Sequence, residues 1–275
     1  MHNYKVDYLS LLFKTDIQEN IYNSAEAITK KTPKGFNCTF ANLKIKCQNA
    51  YTIIEGSPSN FMNCDVNYTN IYKYFQRLSE VFDIDLQEVI NSKIQRIDIC
   101  TEVLYDIKKV LQIFSNAPYF HRLQYNKTLY YNSNIKDKYK GRKMVFYDKR
   151  SNVVRYEYRF FKNSTKYPKR ARLLQDRQVF INLCEYVTSQ YHTIKKNNTM
   201  NNQLIHSKKE LDLYTYSRLY KNNPTELDNV LNRLQPAKRS RLKRYIFDYI
   251  NQEEEVQDRF SEQIDKSLQN IKLLK

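Results

Sequence analysis

The chain has 275 residues, 41% of them hydrophobic, which suits one large domain or one domain with an appendage and excludes disorder throughout. Its 46 Lys and Arg against 29 Asp and Glu leave a formal charge of +17, more than solubility requires, so a polyanionic partner is expected. Five scattered cysteines without a CxxC pair suggest neither a disulfide framework nor a zinc site, and no apolar run approaches the roughly 20 residues of a membrane span. With no signal-peptide pattern either, the expectation is a cytoplasmic protein with no membrane partner.

Tyr4 to Phe13 reads as a strand, and Thr15 to Lys31 as a helix with Asp16 in its first turn. Thr39 to Cys47 and Tyr51 to Glu55 read as a strand pair, closed by the turn residues Gly56-Ser57-Pro58-Ser59. Tyr68 to Phe82 carries Ile71, Tyr74, Phe75, Leu78, Val81 and Phe82 on one helical face. A strand over Ile94 to Val103 and a short helix over Ile107 to Phe114 follow. Strands are then expected at Tyr119 to Gln124, Thr128 to Tyr131, Lys143 to Tyr147 and Val153 to Phe161. Beyond Pro168 the spacing turns helical, with Leu173, Phe180, Leu183, Cys184, Val187, Tyr191 and Ile194 in register, and Lys195 to Gln203 reads as a polar linker. Pro236 opens a long helix striped by Leu242, Tyr245, Ile246, Tyr249, Ile250, Val256, Phe260, Ile264, Leu268 and Ile271. The expected class is α+β: an antiparallel sheet backed by helices over residues 1–200, then a helical region over 201–275 for DNA binding or oligomerisation. The stripe from Val256 to Ile271 suits an internal core or a dimer seam.

Alternation in three strands separates two faces. Ile97, Ile99, Thr101 and Val103 point one way, and Arg96, Asp98, Cys100 and Glu102 the other. Met144 and Phe146 oppose Lys143, Val145, Tyr147 and Lys149, while Val154, Tyr156, Tyr158 and Phe160 oppose Arg155, Glu157 and Arg159. As sheet neighbours these strands would gather Asp98, Glu157, Tyr147 and Lys149 on one surface. Two carboxylates suit a hard divalent ion, a phenol can attack phosphorus, and a nearby lysine or arginine offsets transition-state charge. Asp98 and Glu102 lie about 13 Å apart along a regular strand, so Glu157 is the better partner for Asp98, with Asp7 secondary. The same pattern also describes a wet sheet face laced with cross-strand ion pairs. Lys238, Arg239, Arg241, Lys243 and Arg244 crowd the start of the last helix, where the macrodipole is already positive, so DNA phosphate is a fitting counter-charge.

The ordered set Arg96-Ile97-Asp98, Thr128-Leu129-Tyr130-Tyr131, Val145-Phe146-Tyr147-Asp148-Lys149 and Arg155-Tyr156-Glu157-Tyr158-Arg159 resembles the phage and plasmid replication initiators related to the gene-two proteins of filamentous phages. Gly56-Ser57-Pro58-Ser59-Asn60-Phe61 is a weaker echo. The resemblance covers about residues 1–200. It implies a rolling-circle initiator with a fold related to the HUH endonuclease palm. Such a protein nicks one strand at an origin, stays joined to the 5′ end through a phosphotyrosine and leaves a 3′-hydroxyl as primer. It implies Tyr147 as nucleophile, Lys149 as the adjacent cation, and Asp98 and Glu157 as ligands for Mg²⁺ or Mn²⁺; Arg96, Arg155 and Arg159 around them are the expected DNA contacts of the sheet. The expected partner is origin DNA, single-stranded or hairpin, with a second copy of the chain and a host helicase or polymerase as further candidates. One departure stands out: His2, His121, His192 and His206 form no His-hydrophobic-His motif, so any metal site must be acidic. Tyr130, Tyr131 and Tyr191 are the alternative nucleophiles, though Tyr191 sits on an apolar stripe. A non-catalytic DNA- or RNA-binding regulator is the other function this pattern allows.

Overall fold

The computed structural model describes residues 3–14, 21, 27–32, 35–48, 51–114, 117–133, 143–162, 167–194, 215–216, 219–220 and 223–274. The expected linker at 195–203 and most of the expected helix at 15–31 lie outside them.

Among the described residues, ten strands form one sheet: β1 Lys5–Phe13, β2 Ala27–Thr32, β3 Gly35–Phe40, β4 Leu43–Gln48, β5 Tyr51–Gly56, β6 Lys93–Leu104, β7 His121–Tyr125, β8 Thr128–Asn132, β9 Lys143–Arg150 and β10 Val153–Phe161. Their order is β2-β3-β4-β5-β1-β6-β10-β9-β8-β7, and every pairing is antiparallel. Two meanders thus flank a central β1–β6 pair. The helix expected through Lys31 is corrected at its end, because Ala27–Thr32 pairs with β3. The single strand expected over Thr39 to Cys47 is a hairpin, since Ala41 and Asn42 both take positive φ and turn the chain in two residues.

The helices among the described residues include α1 Pro58–Met62, α2 Ile71–Phe82, α3 Leu86–Asn91, α4 Ile107–Ile113, α5 Arg177–His192, α6 Pro224–Asn232 and α7 Pro236–Leu273. Phase and caps explain them. In α2, Ile71, Tyr74, Phe75, Leu78 and Phe82 recur on one face and are buried, and Asp83 at φ 50° ends the helix. The Asp176 side chain accepts a hydrogen bond from Val179 N at 3.0 Å and starts α5. Leu173 falls instead in the 3₁₀ turn Ala171–Gln175 and is half exposed, so the α5 stripe begins at Phe180.

Helices back one sheet face. Tyr4 bonds Thr188 of α5 at 2.8 Å, Tyr156 donates to the Val187 carbonyl at 2.9 Å, and Phe146, Tyr156, Tyr191 and Phe260 stack in one aromatic cluster. Phe260, Ile264 and Ile271 of α7 are buried in this core, which makes the stripe's C-terminal part intramolecular. Leu227, Leu231 and Ile246 form a second, small core where α6 meets the first half of α7. No described helix is long and apolar enough to cross a membrane. The architecture is an α+β antiparallel sheet with C-terminal helices.

Candidate functional site

The face of β1, β6, β10 and β9 turned away from the helix-backed core carries the charges. Register decides their neighbours: Arg155 pairs with Glu102 on one side and Tyr147 on the other, Glu157 with Cys100 and Val145, and Arg159 with Asp98. Directly paired residues share a face, so the alternation in the sequence becomes one surface. Asp7 reaches it through a bulge, because β1 slips by one residue between Val6 and Tyr8. The central place of β1 is what sets Asp7 against this cluster.

Four carboxylates meet four cations here. Arg96 grips Asp98 with Nε at 2.8 Å and with Nη2. Arg159 Nε donates to Glu157 and stands 3.7 Å from Asp98, bridging the two acids. Arg155 Nη1 donates to Asp7, Nη2 donates to Glu102 at 2.5 Å, and Lys5 stands 3.2 Å from the same Glu102 oxygen. Asp98, Glu157 and Arg155 side chains are 1%, 3% and 7% exposed, so these are buried charges stabilised by one another.

Tyr147 stands at the edge of this network. Its hydroxyl lies 3.3 Å from Glu157 Oε2, to which it donates, and accepts from Arg155 Nη1 at 3.3 Å. Burial, reinforced by Glu157 and Asp7, raises its pKa well above the ordinary phenol value, with Arg155 opposing. Burial likewise raises Glu157, helped by the charge of Asp98 and opposed by Arg159. Burial raises Asp98 against the pull of Arg96, and raises Asp7 against the pull of Arg155. Glu102 goes the other way: burial pushes it up, but Arg155 and Lys5 outweigh that and hold it down at about 2.

Tyr147 opens on a polar cleft of about 580 Å³, floored by the sheet and walled by α1 and the residues after it. Ser57, Ser59, Asn60 and Asn63 supply neutral polar groups, and Lys5, Lys149, Arg150 and Arg155 outnumber Asp7, Asp65 and Glu102. Ser57 caps α1 after Gly56, where an added Cβ would lie 2.8 Å from the Leu43 side chain. Two buried polar atoms of cleft residues, Arg155 Nε and Ser59 Oγ, have no hydrogen-bond partner.

The sequence-predicted residues are therefore partly brought together. Asp98, Glu157 and Tyr147 form one cluster, and Lys149 lines the cleft beside Tyr147 and lies near enough to act on Asp7. Arg96, Arg155 and Arg159, expected on DNA, turn their guanidinium groups onto carboxylates instead. Sequence parity left Asp7's place on this face undecided, since parity cannot show a bulge. Tyr131 and Tyr191 are fully buried, whereas Tyr130 is half exposed. On α7, Lys238, Arg241 and Arg244 are exposed, Arg239 is half buried, and Lys243 pairs with Asp228 at 2.6 Å. That helix starts without a side-chain cap or an acidic residue in its first turn.

Asp7, Asp98 and Glu157 have the chemistry of a hard-cation site. As arranged they do not fit one: each is held by arginine, and no group of three or more His, Cys, Asp or Glu placed to hold an ion occurs among the described residues. An ion at Asp98 and Glu157 would have to displace Arg96 and Arg159.

No family model matches the chain, and no curated protein matches it. Among solved structures it is similar to the rolling circle replication initiator protein from Geobacillus stearothermophilus. That likeness has 14% identity and a TM-score of 0.40, covering 77% of this chain and 91% of the other. A likeness of that depth is one of outline, and the chemistry has to come from the side chains themselves.

Proposed function

We propose that this chain is a replication initiator of the rolling-circle kind, which nicks and rejoins one DNA strand through Tyr147. The observation that carries the reading is the Tyr147 hydroxyl, held 3.3 Å from both a carboxylate and a guanidinium at the wall of a basic cleft. Glu157, with its raised pKa, is suited to accept the phenol proton as general base. The phenolic oxygen attacks the phosphorus of a phosphodiester, the bond to the 3′-oxygen breaks, and that oxygen leaves with a proton from solvent. The 5′-phosphate is then esterified to Tyr147, and a free 3′-hydroxyl remains. Rejoining is the reverse, with Glu157 returning the proton. Arg155, already on the phenol, offsets charge on the attacking oxygen and the phosphate, and Lys149 adds a second cation. No step runs through a metal, because Arg96 and Arg159 occupy the carboxylates an ion would need.

The test is to incubate the protein with end-labelled single-stranded DNA of random sequence and with supercoiled plasmid, in EDTA and in Mg²⁺ or Mn²⁺. An adduct surviving denaturation and digesting to phosphotyrosine at residue 147 is the expected result. Adduct formed only with a divalent ion would mean that the ion displaces Arg96 or Arg159.

The self-neutralised charge cluster favours a second reading, in which the same basic surface binds DNA or RNA without cleaving it. That reading predicts salt-sensitive binding with no adduct under any of these conditions.

A further inference from the structure

The outer end of the sheet carries two tyrosines that packing does not account for. Register places Thr128 opposite Tyr147 and Tyr130 opposite Val145, with Tyr125 across from Thr128 on the last strand. Residues paired across an antiparallel sheet share a face, so Tyr125 and Tyr130 lie on the same side as Tyr147. Their neighbour Tyr131, by the same alternation, points to the helix side and is fully buried. Tyr125 is 57% exposed and Tyr130 half exposed, with ring centroids 6.0 Å apart and planes at 70°. Neighbouring strands are about 4.8 Å apart, which puts the backbone of Tyr125 about 10 Å from that of Tyr147, and Tyr130 lies nearer on the diagonal.

We infer that Tyr125 and Tyr130 are a stacking platform for unpaired bases of a DNA strand whose phosphates run toward the cleft. This rests on the reading of Tyr147 as the site of strand attack, and it adds the residues that recognise the unpaired substrate. Charge selects the occupant: Lys149 and Arg150 stand in the cleft, and the whole chain carries +17. Cations tracking a backbone beside exposed aromatic rings are the features that hold single strands without reading sequence. A duplex keeps its bases stacked on one another and leaves nothing for these rings to cover. The platform therefore favours DNA that is already melted or extruded next to the attacked phosphate.

The test uses the full chain with Tyr125→Ala, Tyr130→Ala and the pair, and fluorescence anisotropy on three labelled 20-mers: single-stranded DNA, the same strand with abasic sites, and a duplex. Each substitution is expected to weaken binding of the intact single strand about tenfold, and the pair further, while the abasic strand and the duplex bind as before. Tyr125→Phe and Tyr130→Phe, which keep the rings, should retain wild-type affinity and guard against misfolding as the cause. Unchanged affinity of the alanine variants for the intact strand would overturn the inference, as would an equal loss on the abasic strand or the duplex. Adduct formation is read separately on denaturing gels, so failure of the nicking chemistry and failure of the platform give different results.

Discussion

The two faces of β6, β9 and β10 are equally dry in places and are held by different physics. On the helix side, Ile97, Ile99, Phe146, Tyr156 and Tyr158 are buried against helices and against one another, where shape and apolar area matter. On the other side, Asp98 and Glu157 are buried almost as completely, but each is fixed by a donor at hydrogen-bond distance. Burial alone therefore does not identify the core of this protein. Direction does, because the polar face is held in one arrangement by pairwise geometry, and that arrangement leaves Tyr147 at its rim.

Single substitutions should expose this difference most strongly. Arg155→Met takes from Asp7 its arginine and from Glu102 one of its two cations, and is expected to cost about 3–5 kcal/mol in urea unfolding. Phe146→Ala is expected to cost about the same, through a cavity. Companion changes separate the two faces. Adding Asp7→Leu and Glu102→Leu to Arg155→Met should recover most of the loss, whereas adding Tyr156→Ala to Phe146→Ala should deepen it. Equal behaviour of the two series would break the comparison.

A smaller effect should appear with pH. Glu102 has its pKa held down at about 2, so its contribution is present above its ordinary value near 4.5 and is lost as pH falls toward 2. Asp7, Asp98 and Glu157 are raised, so the folded state binds their protons more readily and their contribution declines as pH rises through their shifted values. Stability should therefore peak in mild acid. Glu102→Gln should flatten only the acid limb, as measured by thermal unfolding across pH 2–7. The smallest effect is expected at the start of α7. Replacing exposed Lys238, Arg241 and Arg244 with Gln should lower the slope of log K against log salt by about one for each phosphate left without its cation, without changing adduct yield at saturating DNA.

Much of this was legible in the sequence, because period-two alternation in Ile94 to Val103 and Val153 to Phe161 fixes which side chains share a face before any pairing is known. The C-terminal part of the α7 stripe was readable from its helical period, and Phe260, Ile264 and Ile271 are buried as it requires, whereas Tyr245 is exposed and the side chains of Tyr249, Ile250 and Val256 lie outside the described residues. What was not legible depends on register or on a single dihedral. Asp7 needed a bulge, and the split of the Thr39 to Cys47 segment needed two positive φ values at Ala41 and Asn42. The strand at Ala27–Thr32 needed β3 as a partner, since isolated propensity there favoured continuing a helix. The three arginines of the polar face illustrate the limit best. Composition suggests phosphate contacts, and only pairing shows that each guanidinium already has a carboxylate.

Covalent capture is the direct test of strand attack by Tyr147, the phenol at the rim of that network. Wild-type protein and Tyr147→Phe are to be incubated with labelled DNA, denatured, and compared for label that stays with the polypeptide. Retained label is expected for the wild type and its loss in Tyr147→Phe, with noncovalent DNA binding preserved. Label retained by Tyr147→Phe, or no label in either protein under any ion condition, would contradict strand attack by Tyr147.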